Sequence, residues 1–162
     1  MPRVTVTVHL EPMTVGQYAE YRVGAETHYA ESVAGSGSMS LENARQKAAD
    51  DFARLLPDGL ATEGHELFTV YDGDDPVGML WLHFERKPDG EHAFGYDFSV
   101  REDLRRHGYG RAVMVAAERL CRDRGVLSVG LNVFGNNTGA RALYEQMGYE
   151  PTSIQMRKWL SP

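Results

Sequence analysis

A single α/β (α+β) domain, with helices on both faces of a mostly antiparallel sheet, is the fold class that three observations predict for this chain. Short apolar runs joined by tight turns fill its middle, which predicts an antiparallel meander. Segments of helical periodicity stand before and after that meander. One strand–helix–strand crossover, from Phe94 to Val133, forces a parallel pair near the centre of the chain.

The elements follow in order. Residues 3–10 place Val4, Val6, Val8 and Leu10 on one face, as a strand does. Residues 14–33 read as a helix with Thr14 as its N-cap. After the loop 35–38, Ser40 caps a second helix whose apolar positions are Ala44, Ala48, Phe52 and Leu55. Glu42 and Asp50 are among its polar positions, and Pro57, Asp58 and Gly59 end it. Strands are expected at 66–71, 77–85 and 93–100, joined by turns at 72–76 and 87–90. Residues 109–124 form a helix with Val113, Ala116, Ala117 and Leu120 on one stripe and Gly125 just past its end. A strand at 127–133, a short helix at 137–147 stopped by Gly148, and a last strand at about 153–160 complete the order.

Composition narrows the function. The 162 residues suit one domain spanning 1–162, and 42% hydrophobic with 25% charged residues marks a folded chain. No apolar run approaches the ~20 residues of a membrane span. The N-terminus lacks the apolar centre of a secretory signal. Cys121 stands alone, so no internal disulfide forms, and a reducing cytoplasm is the expected compartment. No His pairs with another His or with Cys at a metal-ligand spacing, so no structural metal is expected. The net charge of −6 argues against a nucleic-acid partner and suits both solubility and a cationic substrate.

Two segments carry chemistry. The first joins a strand to a helix through Arg105-x-x-Gly108-x-Gly110. The first amides of a helix have no partner inside it, and the helix dipole adds positive charge there. A pyrophosphate accepts those hydrogen bonds, and glycine lets it approach the main chain. Arg105, Arg106 and Arg111 add charge around the turn. A Walker A loop is excluded, because Gly110 is followed by Arg111 and Ala112. A nicotinamide-dinucleotide fingerprint is excluded as well, because its third glycine would fall on Val113. A plain loop with a solvated basic cluster would show the same spacing.

In the second segment, residues 131–149, a strand ends, an Asn-rich loop follows, and a helix carries Ala140, Leu143, Tyr144 and Met147. Asn136 or Asn137 caps that helix, and Tyr144 can equally be a core tyrosine. Taken together, in this order and separation, the two segments make the chain resemble the GNAT (Gcn5-related) superfamily of N-acetyltransferases over about residues 66–160. Tyr29-Ala-Glu-Ser32 and the stretch from Leu55 to Leu60 are similar to a poorly characterised bacterial subgroup of that superfamily.

The resemblance implies a sheet splayed between the fourth and fifth strands, with acetyl-CoA in the cleft. Backbone groups of Phe98 and Val100 would pair with the pantetheine amides, and a bulge near Phe98 would cause the splay. Backbone amides from Arg105 through Arg106, His107, Gly108, Tyr109 and Gly110 to Arg111 would hold the pyrophosphate, and Asn137 would reach the pantetheine or phosphates. Tyr144 takes the family's general-acid position, and direct transfer to an amine in a ternary complex is expected. Many relatives place a glutamate on the fourth strand. Tyr96 and Asp97 stand there instead, so Asp97 is the candidate base, directly or through water, or else a structural hydrogen-bond acceptor. Glu31 and His28 are weaker candidates, and Cys121 is read as a packing residue rather than an acyl carrier.

Three acceptor readings stay open: a primary amine of a small molecule, a Lys or N-terminal amine of a protein, and a catalytically idle acyl-CoA-binding module. A closed pocket lined by His28, Tyr29 and Trp81 would favour the small molecule. The last strand offers an edge for a homodimer.

Overall fold

The structure, a computed structural model, describes residues 5–35 and 37–161. Two units divide the chain, Met1–Leu131 and Asn132–Pro162.

The first unit holds a five-stranded sheet in the order β1 (His9–Pro12), β2 (His65–Asp72), β3 (Asp75–Lys87), β4 (Gly90–Val100) and β5 (Ser128–Leu131). The first four strands pair antiparallel and β4 pairs β5 in parallel. Two-residue periodicity sends neighbouring side chains of β3 to opposite faces. Leu80 and Leu82 join Phe68, Val70 and Val77 on one face, where Val113, Ala117 and Cys121 of α3 (Tyr109–Asp123) close the core. Those three lie four residues apart, one above the other on the helix. Leu80 and Leu82 are 2% and 1% exposed, and burial of each contributes ~1.5–3 kcal/mol. Met79 and Trp81 join Met13, Phe52, Leu56 and Leu67 on the other face, under α1 (Val15–Gly35) and α2 (Leu41–Leu55).

Local signals explain where the helices begin. Thr14 and Gln17 cap reciprocally: the Gln17 amide donates to Thr14 Oγ1 (3.1 Å), and the Thr14 amide donates to Gln17 Oε1 (2.9 Å). Ser40 Oγ accepts from the Asn43 amide at 3.2 Å. Gly125, at φ +73°, takes the left-handed position after α3. Cys121 is 2% exposed in the α3 core, as a packing residue is.

The strand expected at 3–10 is displaced. Residues 3 and 4 lie outside the described residues, and β1 runs only over His9–Pro12. Its partners are Tyr71 back to Phe68, and the β2–β3 turn lies just beyond Tyr71, so an earlier start would find no ladder to join. Val8 and Leu10 still pack towards the α3-side core.

In the second unit, α4 (Thr138–Gln146) is capped by Asn137, whose Oδ1 accepts from the Ala140 amide at 3.3 Å. Gly148, at φ +95°, follows its end. The last strand expected at 153–160 is absent: residues 153–161 carry no regular secondary structure. Ile154, Met156, Trp159 and Leu160 are exposed there. Alternation sets which way side chains point, but a strand exists only where a neighbour takes its backbone groups. The homodimer edge that this strand was to offer is therefore absent as well.

Candidate functional site

Strand β4 builds the site. Its pairing with β5 covers His92 to Gly95, opposite Ser128 to Leu131, and goes no further. From Tyr96 onward only β3 is hydrogen-bonded to it. Among the described residues no strand pairs with the backbone of Phe98 and Val100 on the β5 side, while both side chains pack on the α3-side core. This is the expected splay. The bulge sits at Tyr96, two residues ahead of Phe98: Trp81 faces Asp97 and Leu82 faces Gly95, which leaves Tyr96 unmatched.

The bulge has a chemical consequence. It turns Asp97 towards α1, where the Tyr21 hydroxyl donates to Asp97 Oδ2 at 2.7 Å. Burial pushes the Asp97 carboxyl above the usual carboxylate range. The Tyr21 hydrogen bond, the nearby His28 and the Phe98 amide oppose that shift without cancelling it. Burial first, and Asp97 second, push the Tyr21 hydroxyl up, so it remains a donor. A carboxyl group raised above its ordinary range by burial is a candidate proton acceptor.

Beyond Val100 the chain makes a short 3-10 turn, Glu102–Leu104, and then the basic turn. Arg105 Nε donates to the Val100 carbonyl at 3.3 Å, which ties the turn back to the end of β4. Arg106 adopts φ +68° and Gly108 φ +89°. Both values lie in the left-handed region, which Gly108 adopts without the Cβ cost that Arg106 carries. Gly108 is the N-cap of α3, and the helix's own bonding starts with the Ala112 amide on the Gly108 carbonyl at 3.1 Å. Arg105, Arg106, His107 and Arg111 are exposed around it, and Tyr109 and Gly110 are half-buried. The Tyr109 hydroxyl donates to Asp72 at 2.5 Å, pinning the helix start to the β2–β3 turn.

The second unit carries Asn137 and Tyr144. Asn137 spends its side-chain oxygen on the α4 cap. Tyr144 is buried, at 8% exposure, with its ring 5.7 Å from that of Tyr149.

Two further expectations change. Trp81 is 3% exposed, inside the core, and the Tyr29 hydroxyl donates to Asp51 on α2 at 3.1 Å. His28 is exposed, so His28, Tyr29 and Trp81 do not line a closed pocket. Glu31 is exposed on α1. Tyr21 is the partner that sequence reasoning missed; only its spacing of seven residues from His28, two helical turns, marks that face of α1.

Comparison with known proteins agrees with this geometry. Residues 34–149 match the acetyltransferase (GNAT) family. The chain is 35% identical to the uncharacterized N-acetyltransferase YycN of Bacillus subtilis over 96% of its own length and 100% of that protein's. The crystal structure of that putative acetyltransferase superposes with a TM-score of 0.90 over the same shares of both chains. The uncharacterized N-acetyltransferase YdgE of Bacillus subtilis is 28% identical over 93% of this chain and 97% of that one. A mycothiol acetyltransferase of Nocardiopsis dassonvillei is 30% identical over 91% of this chain and 44% of that protein. A sheet that opens beyond Gly95, a glycine-capped helix beside the opening, and these matches together place the chain in the acetyltransferase (GNAT) family, as an N-acetyltransferase.

Proposed function

We propose that this protein binds acetyl-CoA and transfers the acetyl group, by direct attack in a ternary complex, to a primary amine of a small molecule. The reading takes residues 1–162 as one acetyltransferase domain working in the cytoplasm, without a nucleic-acid or membrane partner. The observation that carries it is the turn 105–111. A left-handed Gly108 opens α3 there, among exposed arginines, at the end of the half of β4 that lacks a second strand.

The residues present fit the cofactor. A Cβ on Gly108 would be strained at φ +89°, and the first-turn amides of α3 suit a pyrophosphate. Backbone groups of β4 at Phe98 and Val100, beyond the end of the β4–β5 pairing, are assigned to the pantetheine amides, and Asn137 to the pantetheine or phosphates. Acetyl-CoA would supply the activated thioester. Asp97 accepts the proton that the amine must lose before it can attack, with Tyr21 holding the carboxylate in place. Tyr144 donates a proton to the departing thiolate, which a phenol of reference pKa ~10 can do. Protein acetylation is the competing reading. The mycothiol acetyltransferase name among the relatives favours a small molecule.

The test is calorimetry with acetyl-CoA, followed by turnover. Saturable binding is expected, weakened about a hundredfold by Gly108→Asp, which adds left-handed strain of ~1–2 kcal/mol and a like charge of similar effect. Tyr144→Phe should keep that binding and lower kcat by ~10²–10⁴-fold. No binding by the wild type at millimolar cofactor would end the reading.

A further inference from the structure

Five rings from three strands gather on the α1–α2 side of the sheet, and the roles assigned above use none of them. They are His65 on β2, Trp81 and His83 on β3, and Phe94 and Tyr96 on β4. Tyr96 is their hub. Its ring stacks on Trp81, with centroids 4.9 Å apart and planes 20° apart, and meets Phe94 edge-on at 5.1 Å. His65 and His83 lie 5.5 Å and 6.0 Å from it.

Folding does not account for this hub. The core on that face is closed by Met13, Phe52, Leu56, Leu67, Met79 and Trp81, and Tyr96 is outside it at 39% exposure. The Trp81 indole N–H donates to His65 Nδ1 at 3.0 Å, which places the proton of a neutral His65 on Nε2. Burial, with His83 adding to it, holds the His65 imidazole below its ordinary range, which favours its neutral form. The exposed ring is thus held from several sides and ready to stack before any ligand arrives. The bulge then lets Tyr96 share one side of the sheet with its chain neighbour Asp97, which pairs with the same Trp81 that Tyr96 stacks on. Beside the ring cluster lies a recess of about 140 Å³, bordered by His83 and Phe94 of the cluster and by Lys87, His92 and Ser128.

We propose that Tyr96 is the stacking surface for the acetyl acceptor, and that the acceptor is a small amine carrying an aromatic ring. The acceptor's ring lies against Tyr96 while its amine meets Asp97. The amine arrives as an ammonium, gives one proton to the Asp97 carboxylate and attacks the thioester carbonyl; as the C–S bond breaks, the nitrogen loses its second proton to leave a neutral amide, and the departing thiolate takes up one proton by way of Tyr144 to leave as the CoA thiol. This inference rests on the acetyl-CoA reading above and names its substrate class.

The experiment compares 2-phenylethylamine with its saturated twin, 2-cyclohexylethylamine, and with n-butylamine, by acetyl-CoA-dependent thiol release. Wild type, Tyr96→Phe and Tyr96→Leu are each assayed, with acetyl-CoA binding measured by calorimetry on the same samples. The aromatic amine should exceed its saturated twin in kcat/KM by about two- to tenfold, the worth of one ring stack. Tyr96→Phe should keep that preference and Tyr96→Leu should lose it, both with unchanged acetyl-CoA binding. Equal rates for the two ring amines, a preference that survives in Tyr96→Leu, or turnover of none of the three by a protein that binds acetyl-CoA would each overturn the substrate class. Failure to bind acetyl-CoA would instead overturn the reading on which it rests.

Discussion

Strand β4 is one run of eleven residues, yet its two halves live under different rules. From His92 to Gly95 it is paired on both sides, to β3 and to β5. From Tyr96 to Val100 it is paired on one side only, and the bulge, the Asp97–Tyr21 hydrogen bond and the route to the basic turn all lie in that half. In the doubly paired half the neighbouring strands take up the backbone, while in the other half side chains meet it as well: Asp97 the Phe98 amide and Arg105 the Val100 carbonyl. The two halves also tolerate side chains differently. A Cβ on Gly95 would meet the Gly130 carbonyl oxygen and Leu131 Cβ at ordinary distances of 3.8 Å and 3.9 Å. A Cβ on Gly78, which faces the other half, would fall 2.2 Å from the Ser99 carbonyl oxygen.

Breaking the site half at its carboxylate should have the largest effect. Asp97→Asn removes the proposed proton acceptor and should lower kcat by ~10²–10⁴-fold. Its stability should move the opposite way. The folded-state pKa of Asp97 is raised above the unfolded value, so its contribution to stability is present at low pH and falls away as pH rises through the folded value. Thermal melts should therefore show Asp97→Asn gaining on wild type as pH rises from about 3 to 7. A variant that loses stability at neutral pH, or keeps full turnover, would make Asp97 a structural acceptor only.

A backbone lesion comes next. Gly78→Ala should cost ~1–3 kcal/mol by overpacking and should also weaken acetyl-CoA binding, because Ser99 lies between Phe98 and Val100. Gly95→Ala should stay within about 1 kcal/mol of wild type with unchanged cofactor affinity. Denaturant midpoints and calorimetry on the pair read both halves of β4, and equal responses would erase the distinction between them.

The smallest effect sharpens the picture most. Tyr21→Phe removes a hydrogen bond that lowers the Asp97 pKa, so the carboxyl should titrate higher. The acid limb of the kcat/KM–pH profile should shift to higher pH, while the rate well above that limb stays close to wild type. An unmoved limb would show that Asp97 is not the group being titrated.

Much of this was legible in the residues. Thr14 and Ser40 as caps, the glycines at 108, 125 and 148, and the meander turns are local chemistry, readable wherever side-chain type decides a few adjacent dihedrals. Where pairing decides, reading failed. Residues 3–10 alternate well and 153–160 carry several large apolar side chains, yet β1 starts only at His9 and the tail forms no strand.

Sequence by itself determined the family, the order of elements from the first helix to the last, the crossover and the basic glycine turn, because each rests on neighbours in the chain. Only the tertiary structure decided that the bulge falls on Tyr96, that Asp97 therefore meets Tyr21, seventy-six residues earlier, and that Trp81 is buried behind an exposed ring. Those facts depend on how β3 and β4 slide into register and on which turn of α1 lies above them. Register is fixed by the summed packing of both faces, and no local stretch of residues carries that sum.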